Sequence, residues 1–486
     1  MYLKLIFLTV QFIKNILMLL FTLIIFFAAL VNAEEIELRS SLDTFYSNQS
    51  TIKGLHSLTA LWKMKDNYYV GQSIYSAALG DAGGAFFWGY EVGKRYPITS
   101  NNFLNLSTFL GGGGGASQVP GDGLMTRTYA GVSSFLTPTL SMETGISYIY
   151  IKGSTIQTAA LSLGFSYLSD GLAPEFENNN QKLFDILAIK PTFRTFNIPG
   201  AVVSRSQSQQ GNVSLVGIEI AFDSNGNREN FISGDGAFMG DGEGYMDIML
   251  GTRGIWEKQN FQMFGDVSLG FGGGGDIDTG PGILGAIGIG GRIPLSKRVD
   301  LELGIQSLAA FNGSFNAISP YIRTSYVFKR PNLLKRSQKF QYSTGFSYQL
   351  ANLEFRKVGD QSKANPVLNF TSLDVFLNDN FYLIGEAQTV MLGDAGGYAL
   401  GLLGLGYRHS LSNSWNLSPE IFIGAAGGGG VETKGGLLAG GQLELDYKFS
   451  ERIWLSAGLG YLASIKGKGM APTTINLGLK IPFSMK

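Results

Sequence analysis

The chain has 486 residues, with 37 basic and 37 acidic side chains, two histidines and no cysteine. The lack of cysteine excludes disulfides, thiolate metal sites and cysteine nucleophiles, and zero net charge provides no electrostatic attraction for nucleic acid. Two histidines argue against a histidine-ligated metal, so we expect no metal site, no cofactor and no nucleic-acid partner. The 67 glycines, with 12% aromatic and 15% charged residues, are typical of an all-β protein.

Residues 1–33 have the pattern of a secretory signal peptide. Lys4 and Lys14 are followed by an apolar run at 16–30, and the segment 31–33 places small residues before Glu34. A basic start, an apolar core and small residues at the cleavage point are the parts of such a signal, with an uncleaved membrane anchor as the alternative. Beyond residue 33 no run of about 18 apolar residues occurs. The sequence therefore predicts an exported chain that would enter a membrane only as strands.

Three markers recur along the rest of the chain. A Gly-Asp motif places Asp81, Asp241 and Asp394 at spacings of 160 and 153 residues, each followed by a glycine run at 111–115, 272–275 or 427–430. A third marker follows at 151–153, 311–313 and 465–467. The common period predicts three repeats at 34–170, 183–328 and 340–486, joined by linkers at 171–182 and 329–339. A period this long makes each repeat domain-sized or a large sector of one closed sheet.

Within each repeat, apolar and polar residues alternate with a period of two. In the third repeat, apolar positions 443, 445, 447 and 449 alternate with polar positions 442, 444, 446 and 448, and the other repeats show similar runs. This alternation predicts strands with one apolar and one polar face. We count about eight per repeat; in the second repeat they fall near 183–197, 211–223, 230–240, 245–257, 260–272, 283–294, 299–311 and 317–328.

The predicted connections are of two kinds. Short polar turns, such as 65–67, 295–298, 378–380 and 449–452, form one set. The other set holds the Gly-Asp motifs, the glycine runs and the longer segments 198–210 and 355–366. Short turns at one rim and long loops at the other are typical of outer-membrane barrels, so we expect the glycine-rich loops to face outward.

The last predicted strand adds a resemblance. Apolar residues at 475, 477, 479 and 481 alternate up to Phe483, with three residues following. This pattern resembles the closing strand of Gram-negative outer-membrane β-barrel proteins, a class of architecture and not a named family. The resemblance implies location in the cell outer membrane, with the lipid bilayer and the barrel assembly machinery as partners.

Alternation alone does not separate a membrane barrel from a soluble β protein. Aromatic residues near strand ends (Tyr447, Phe449, Tyr461 and Phe483) and the scarcity of charge favour the membrane. We therefore predict an all-β fold, an antiparallel transmembrane β-barrel built from three internal repeats of about eight strands each. The sequence leaves open one large barrel of about 24 strands or three small barrels.

Two sets of residues are candidate sites. Asp81, Asp241 and Asp394 lie in outer-rim turns, where they either contact a repeated ligand or cation or cap their own turns. Charged residues on the polar strand faces are predicted to line a lumen, either tuning ion selectivity or filling it with salt bridges: Glu143, Glu302, Glu444, Asp446, Arg127, Arg253, Arg323 and Lys480.

The first function hypothesis is a porin-like channel for passive diffusion of small polar solutes or ions. The alternative is a non-conducting structural or surface-contact protein with glycine-rich outer loops. A third is a lipid-modifying enzyme, because His409-Ser410-Leu411-Ser412-Asn413 superficially resembles the His-x-Ser-Asn of outer-membrane lipid A deacylases. On a strand, however, His409 and Ser412 face opposite sides, so we expect no catalytic residue and no enzyme.

Overall fold

The computed structural model describes residues 35–46, 50–119, 121–169, 186–223, 227–258, 261–328 and 338–485. The predicted signal peptide, the linker 171–182 and positions 329–337 of the second linker lie outside the described residues. No helix within the described ranges is long and apolar enough to cross a membrane.

The described residues form strands almost throughout. The first repeat holds β1 to β8, at Glu35–Thr44, Ile52–Lys63, Tyr68–Gly80, Phe86–Pro97, Asn102–Gly114, Met125–Phe135, Leu140–Ile151 and Gln157–Ser169. The second holds β9 to β16, at Ile186–Phe196, Val213–Asp223, Arg228–Gly240, Met246–Lys258, Phe261–Gly273, Ile283–Pro294, Val299–Ala310 and Asn316–Val327. The third holds β17 to β25, at Gln338–Leu350, Val367–Phe376, Phe381–Leu392, Ala399–Tyr407, His409–Ser410, Trp415–Gly427, Leu437–Lys448, Trp454–Ser464 and Thr473–Met485.

Each repeat closes on itself as an antiparallel barrel. In barrel 1 (35–169) β1 pairs with β8, and in barrel 2 (186–327) β16 pairs with β9. In barrel 3 (338–485) β25 pairs with β17, and β20 pairs with β22 past the two-residue β21. The all-β, three-repeat prediction is therefore confirmed, and of its two forms the structure has three small barrels. The wide lumen of a single 24-strand barrel does not form, because the first and last strands of each repeat satisfy one another's edges.

The start of barrel 3 differs slightly from the predicted boundary. The linker was expected to run to residue 339, but β17 begins at Gln338. The reason is pairing with the last strand, since Gln338 and Lys339 lie opposite Met485 and Ser484 of β25.

The outer faces of the strands are apolar, and their inner faces are charged or polar over much of each barrel, with an apolar cluster toward the Gly-Asp turns. On β7, Ile146 and Tyr148 point outward and are 61% and 53% exposed, whereas Glu143 and Ser147 are buried. The outward residues of the other barrels, such as Ile287 at 67% exposure, follow the same rule. A soluble barrel has the opposite distribution, with its apolar side chains inside.

The three barrels pack around a cycle. The third strand of one barrel packs on the fifth strand of the next: β11 of barrel 2 on β22 of barrel 3, and β19 of barrel 3 on β5 of barrel 1. Between barrels 1 and 2, His56 of β2 stacks on Phe271 of β13, with ring centroids 4.6 Å apart. The order 1 to 2 to 3 to 1 gives the single chain an approximate threefold arrangement.

Candidate functional site

Paired charges fill one half of barrel 1. The Arg95 guanidinium lies 2.6 Å from Glu37 and 3.0 Å from Glu143, and Arg39 lies 3.0 Å from Glu91. The Asn105 amide donates to Glu143 at 3.2 Å. Buried charges are costly unless paired and hydrogen-bonded, so these groups stabilise one another only as a set.

A second cluster in barrel 1 centres on Arg127. Its Nε and Nη2 donate to the two carboxylate oxygens of Asp43 at 2.6 and 2.9 Å, a bidentate pair. The guanidinium also lies over the rings of Tyr129 and Tyr75, at 4.9 and 5.7 Å from their centroids. A cavity of about 10 Å³, room for a single water, lies between this cluster and Arg39.

Barrel 2 has the densest interior network. Arg253 donates to both carboxylate oxygens of Glu219 at 2.8 and 2.9 Å, and Arg323 lies 3.0 Å from Glu219. Glu302 binds Arg292 at 2.7 Å and Lys190 at 3.2 Å. Arg253 itself is fully buried.

In barrel 3, Lys480 is the central cation. Its ammonium group binds Glu444 and lies 3.1 Å from Asp446. The Tyr382 hydroxyl donates to Glu420 at 2.5 Å across the same interior.

All eight residues predicted to line a lumen lie inside the barrels and are at most 5% exposed: Glu143, Glu302, Glu444, Asp446, Arg127, Arg253, Arg323 and Lys480. The structure distributes them over three separate interiors, where each takes part in an ion pair. Charges at membrane depth persist only when they pair or face water, and here they pair.

Sequence reasoning missed many of their partners, including Arg39, Glu91 and Glu219. The signal was present, because Glu219 sits between Ile218 and Ile220 in the same alternation that identified Glu444. What the alternation does not provide is the partner on another strand.

The three rim aspartates occupy equivalent turns but do not come together. Asp81 is exposed and binds Arg205 of barrel 2 at 2.9 Å. Asp241 is held by its backbone, with its N–H donating to the Asn212 carbonyl at 3.2 Å. Asp394 has φ +58° and donates its N–H to the Asp122 carboxylate at 3.0 Å. Two of the three thus join one barrel to another.

The Gly-Asp turns of one repeat meet the glycine runs of the next. We call these segments together the glycine rim; its turns are 80–85, 240–245 and 393–398, and its runs are 111–115, 272–275 and 427–430. Gly397 donates its N–H to the Gly113 carbonyl at 2.9 Å, and Gly83 donates to Gly280 at 2.7 Å. A Cβ on Gly84, which has φ +91°, would lie 2.2 Å from the Gly274 nitrogen. Glycine is required there because the backbones of two barrels touch.

Two carboxylates in loops that contact a neighbouring barrel have shifted pKa values. Burial raises the pKa of Asp122, but hydrogen bonds from Lys152 and from the N–H groups of Asp394 and Gly393 outweigh burial and leave that pKa below its ordinary value. Burial likewise raises the pKa of Glu243, and the hydrogen bond from Lys357 leads the contacts that lower it overall. Both carboxylates are therefore charged at neutral pH and connect neighbouring barrels.

The residues of the enzyme hypothesis lie at the opposite barrel end. His409 is exposed on the two-residue β21. The Ser412 hydroxyl accepts turn N–H groups from Trp415 at 3.2 Å and Ser414 at 3.3 Å. No hydrogen bond joins His409 to Ser412 among the contacts of the described residues, so the pair does not form the unit that nucleophilic catalysis needs.

Closed strands, apolar outer faces and charged interiors together define the class of this protein: an integral β-barrel protein of the outer-membrane type. No family model matches the sequence, and no curated protein matches it.

Several solved structures are similar to the chain over most of its length. OccAB4 of Acinetobacter baumannii is 11% identical with a TM-score of 0.23, covering 93% of this chain and 97% of that one. OccK8 (OprE) of Pseudomonas aeruginosa is 10% identical with a TM-score of 0.23, covering 93% and 98%. A BenF-like porin from Pseudomonas fluorescens Pf-5 is 8% identical with a TM-score of 0.23, covering 93% and 98%. At these identities and TM-scores the similarity carries no conclusion about this chain.

Proposed function

We propose that this chain is an integral protein of the cell outer membrane that does not conduct, and whose three barrels hold the glycine rim in a fixed geometry at the cell surface. The observation that carries the proposal is the filled interior of each barrel. Eight-stranded barrels are just wide enough for side chains to fill them. These three are filled by buried charged and polar side chains, most of them paired or hydrogen-bonded, and by an apolar cluster toward the glycine rim.

Passage of an ion through barrel 2 would require separating pairs such as Arg253–Glu219. Leaving one buried charge without its partner costs about 3–5 kcal/mol, and the same interior also holds the pairs Arg323–Glu219 and Arg292–Glu302. A diffusion pore for small solutes, the first hypothesis from the sequence, would need an open path that these pairs occupy.

The rim is the part of the protein available for contact. The loop that follows β17 exposes Leu353 and Val358 almost completely. Its Arg356 donates to the Asp394 and Gly393 carbonyls at 2.9 and 2.7 Å, so the loop is anchored to the glycine rim beside its exposed tips. Loops held in place by a barrel scaffold are a common setting for recognition.

The closing strand supports membrane assembly in the same proposal. Phe483 of β25 stacks on Phe340 of β17, with ring centroids 5.3 Å apart. Recognition of this strand by the assembly machinery stays a prediction.

Planar-bilayer recording of refolded residues 34–486 tests the function. We expect the protein to insert, as shown by protease protection of its strands in vesicles, and to give no stepwise conductance. Large, regular openings from inserted protein would contradict the proposal and favour the diffusion pore. Failure to insert would contradict the membrane location itself.

A further inference from the structure

The interior of barrel 3 is acid-rich. Five carboxylates belong to its interior, against Lys480 and Arg408 as cations: Asp374, Glu386, Glu420, Glu444 and Asp446. Lys480 pairs with Glu444 and Asp446, and Arg408 donates to the Gln341 amide oxygen. Among the ion pairs of the described residues none includes the other three carboxylates. In barrel 1, by contrast, Glu37, Asp43, Glu91 and Glu143 each contact an arginine.

Two series of hydrogen-bonded side-chain amides, which we call amide chains, start from these carboxylates. Gln388 Nε2 donates to Glu386 at 2.6 Å. Gln442 Nε2 donates to Glu420 at 2.6 Å, and Asn476 Nδ2 donates to Gln442 Oε1 at 2.5 Å. Because a carboxylate accepts and an amide nitrogen donates, this order fixes which end of each amide is the oxygen.

The two chains end on carbonyl oxygens that accept nothing. Gln388 Oε1 and Asn476 Oδ1 are buried, their residues are 3% and 9% exposed, and no donor reaches either oxygen within the described part of the chain. Leaving a buried acceptor without a donor is costly, so a native pair of such atoms points to a bound group.

Both residues line one cavity of about 10 Å³, with Glu386, Gln442 and Thr474 on its polar side and Leu402, Phe422 and Leu462 on its apolar side. The space takes a single occupant the size of a water molecule. We propose that it binds one small dehydrated monovalent cation, of the size of Na⁺. The orphan oxygens would be its neutral ligands, and the Glu386 carboxylate, which has no described cationic partner, would balance its charge.

The lining chemistry separates this occupant from its competitors. A single carboxylate, with a few amide and hydroxyl oxygens beside three apolar side chains, provides too little charge and too few ligands for Ca²⁺ or Mg²⁺. The cavity is also too small for the waters that Mg²⁺ retains. Water alone would satisfy the orphan oxygens but would leave the carboxylate uncompensated at membrane depth.

The full chain, refolded in detergent micelles at pH 8, tests the site with NaCl against choline chloride at equal ionic strength. We expect saturable broadening of the ²³Na NMR signal. We also expect the thermal midpoint, followed by circular dichroism, to be about 3 °C or more higher in Na⁺. K⁺ is expected to give a smaller shift, because the cavity is small.

Two variants locate the effect. Gln388→Leu removes one orphan oxygen, and Glu386→Gln removes the charge while keeping an acceptor for Gln388. Both are expected to lose the Na⁺-dependent shift of the thermal midpoint. If Gln388→Leu fails to fold, Glu386→Gln still tests the site, because it retains the shape of the interior. Gln306→Leu is the matched control, because Gln306 donates to Asp266 in barrel 2, where Arg253 also contacts that carboxylate. It is expected to keep the full shift.

Equal midpoints in Na⁺ and choline for the unmodified protein would overturn the proposal and leave protons as the neutralising species. A Na⁺-dependent shift that survives in both Gln388→Leu and Glu386→Gln would also overturn it, because the cation would then bind elsewhere.

Discussion

The close approach of barrels at the glycine rim can be tested with single alanine substitutions. Gly84, Gly244 and Gly397 are equivalent in the three repeats, with φ of +91°, +89° and +91°. An added Cβ would lie 2.2 Å from the Gly274 nitrogen, 3.1 Å from the Gly428 nitrogen and 2.9 Å from the Gly115 nitrogen, respectively. The backbone strain is therefore the same at all three positions, and only the contact with the next barrel differs.

Gly467 provides the matched control. It has φ +103° and nothing within 4 Å of an added Cβ. Gly467→Ala thus carries only the cost of a left-handed backbone, about 1 kcal/mol. Gly84→Ala adds a clash with backbone that cannot rotate away, about 1–3 kcal/mol of overpacking, for a total of about 2–4 kcal/mol. The expected order of destabilisation is Gly84→Ala, Gly397→Ala, Gly244→Ala and then Gly467→Ala.

Urea unfolding in lipid vesicles, followed by circular dichroism, measures these differences. A difference of 1 kcal/mol corresponds to about 2–4 °C for a unit of this size, so thermal midpoints provide a second readout. If Gly84→Ala costs no more than Gly467→Ala, the barrels do not touch at the rim and the threefold closure is wrong.

Two further predictions concern the charges. Arg127→Met leaves Asp43 buried without its cation and is expected to lower the free energy of unfolding by about 3–5 kcal/mol. Combining it with Asp43→Asn should recover part of that loss. Urea unfolding that shows the double variant no more stable than the single one would contradict this expectation. The second concerns pH: because the folded pKa of Asp122 lies below the ordinary 3.8, its contribution is present above that pH and is lost as pH falls through the folded value. We therefore expect the contact between barrels 1 and 3 to weaken below about pH 4, seen as lower protection of the Gly393 and Asp394 amides against exchange, relative to their intrinsic rates at each pH. An Asp122→Asn variant that loses this protection over the same pH range would refute the assignment.

The sequence by itself determined where most strands lie, their approximate number and which residues of a strand share a face. Alternation with a period of two is a property of neighbouring residues, so positions such as Glu444 and Asp446 could be placed on the polar face without knowing any partner. The three markers likewise gave the triplication, because a repeat is visible in one dimension.

Only the tertiary structure decided which strands close on which. The same string of alternating strands is compatible with one barrel of 24 or three of eight, because each edge strand has two possible partners and the choice is a long-range one. The pairing of β1 with β8 removes the wide lumen. It also brings Arg127 to Asp43, 84 residues away in sequence.

The glycine markers show the same division. Their spacing could be read from the sequence, but not that a Gly-Asp turn of one repeat lies against the glycine run of the next. That contact depends on the packing of whole barrels, as between Gly397 and Gly113. The orphan oxygens of Gln388 and Asn476 are a further example, because the absence of a donor near either oxygen in the described part of the chain depends on how distant strands enclose the interior. Local pattern fixes the elements, and the pairing of distant surfaces fixes what those elements enclose.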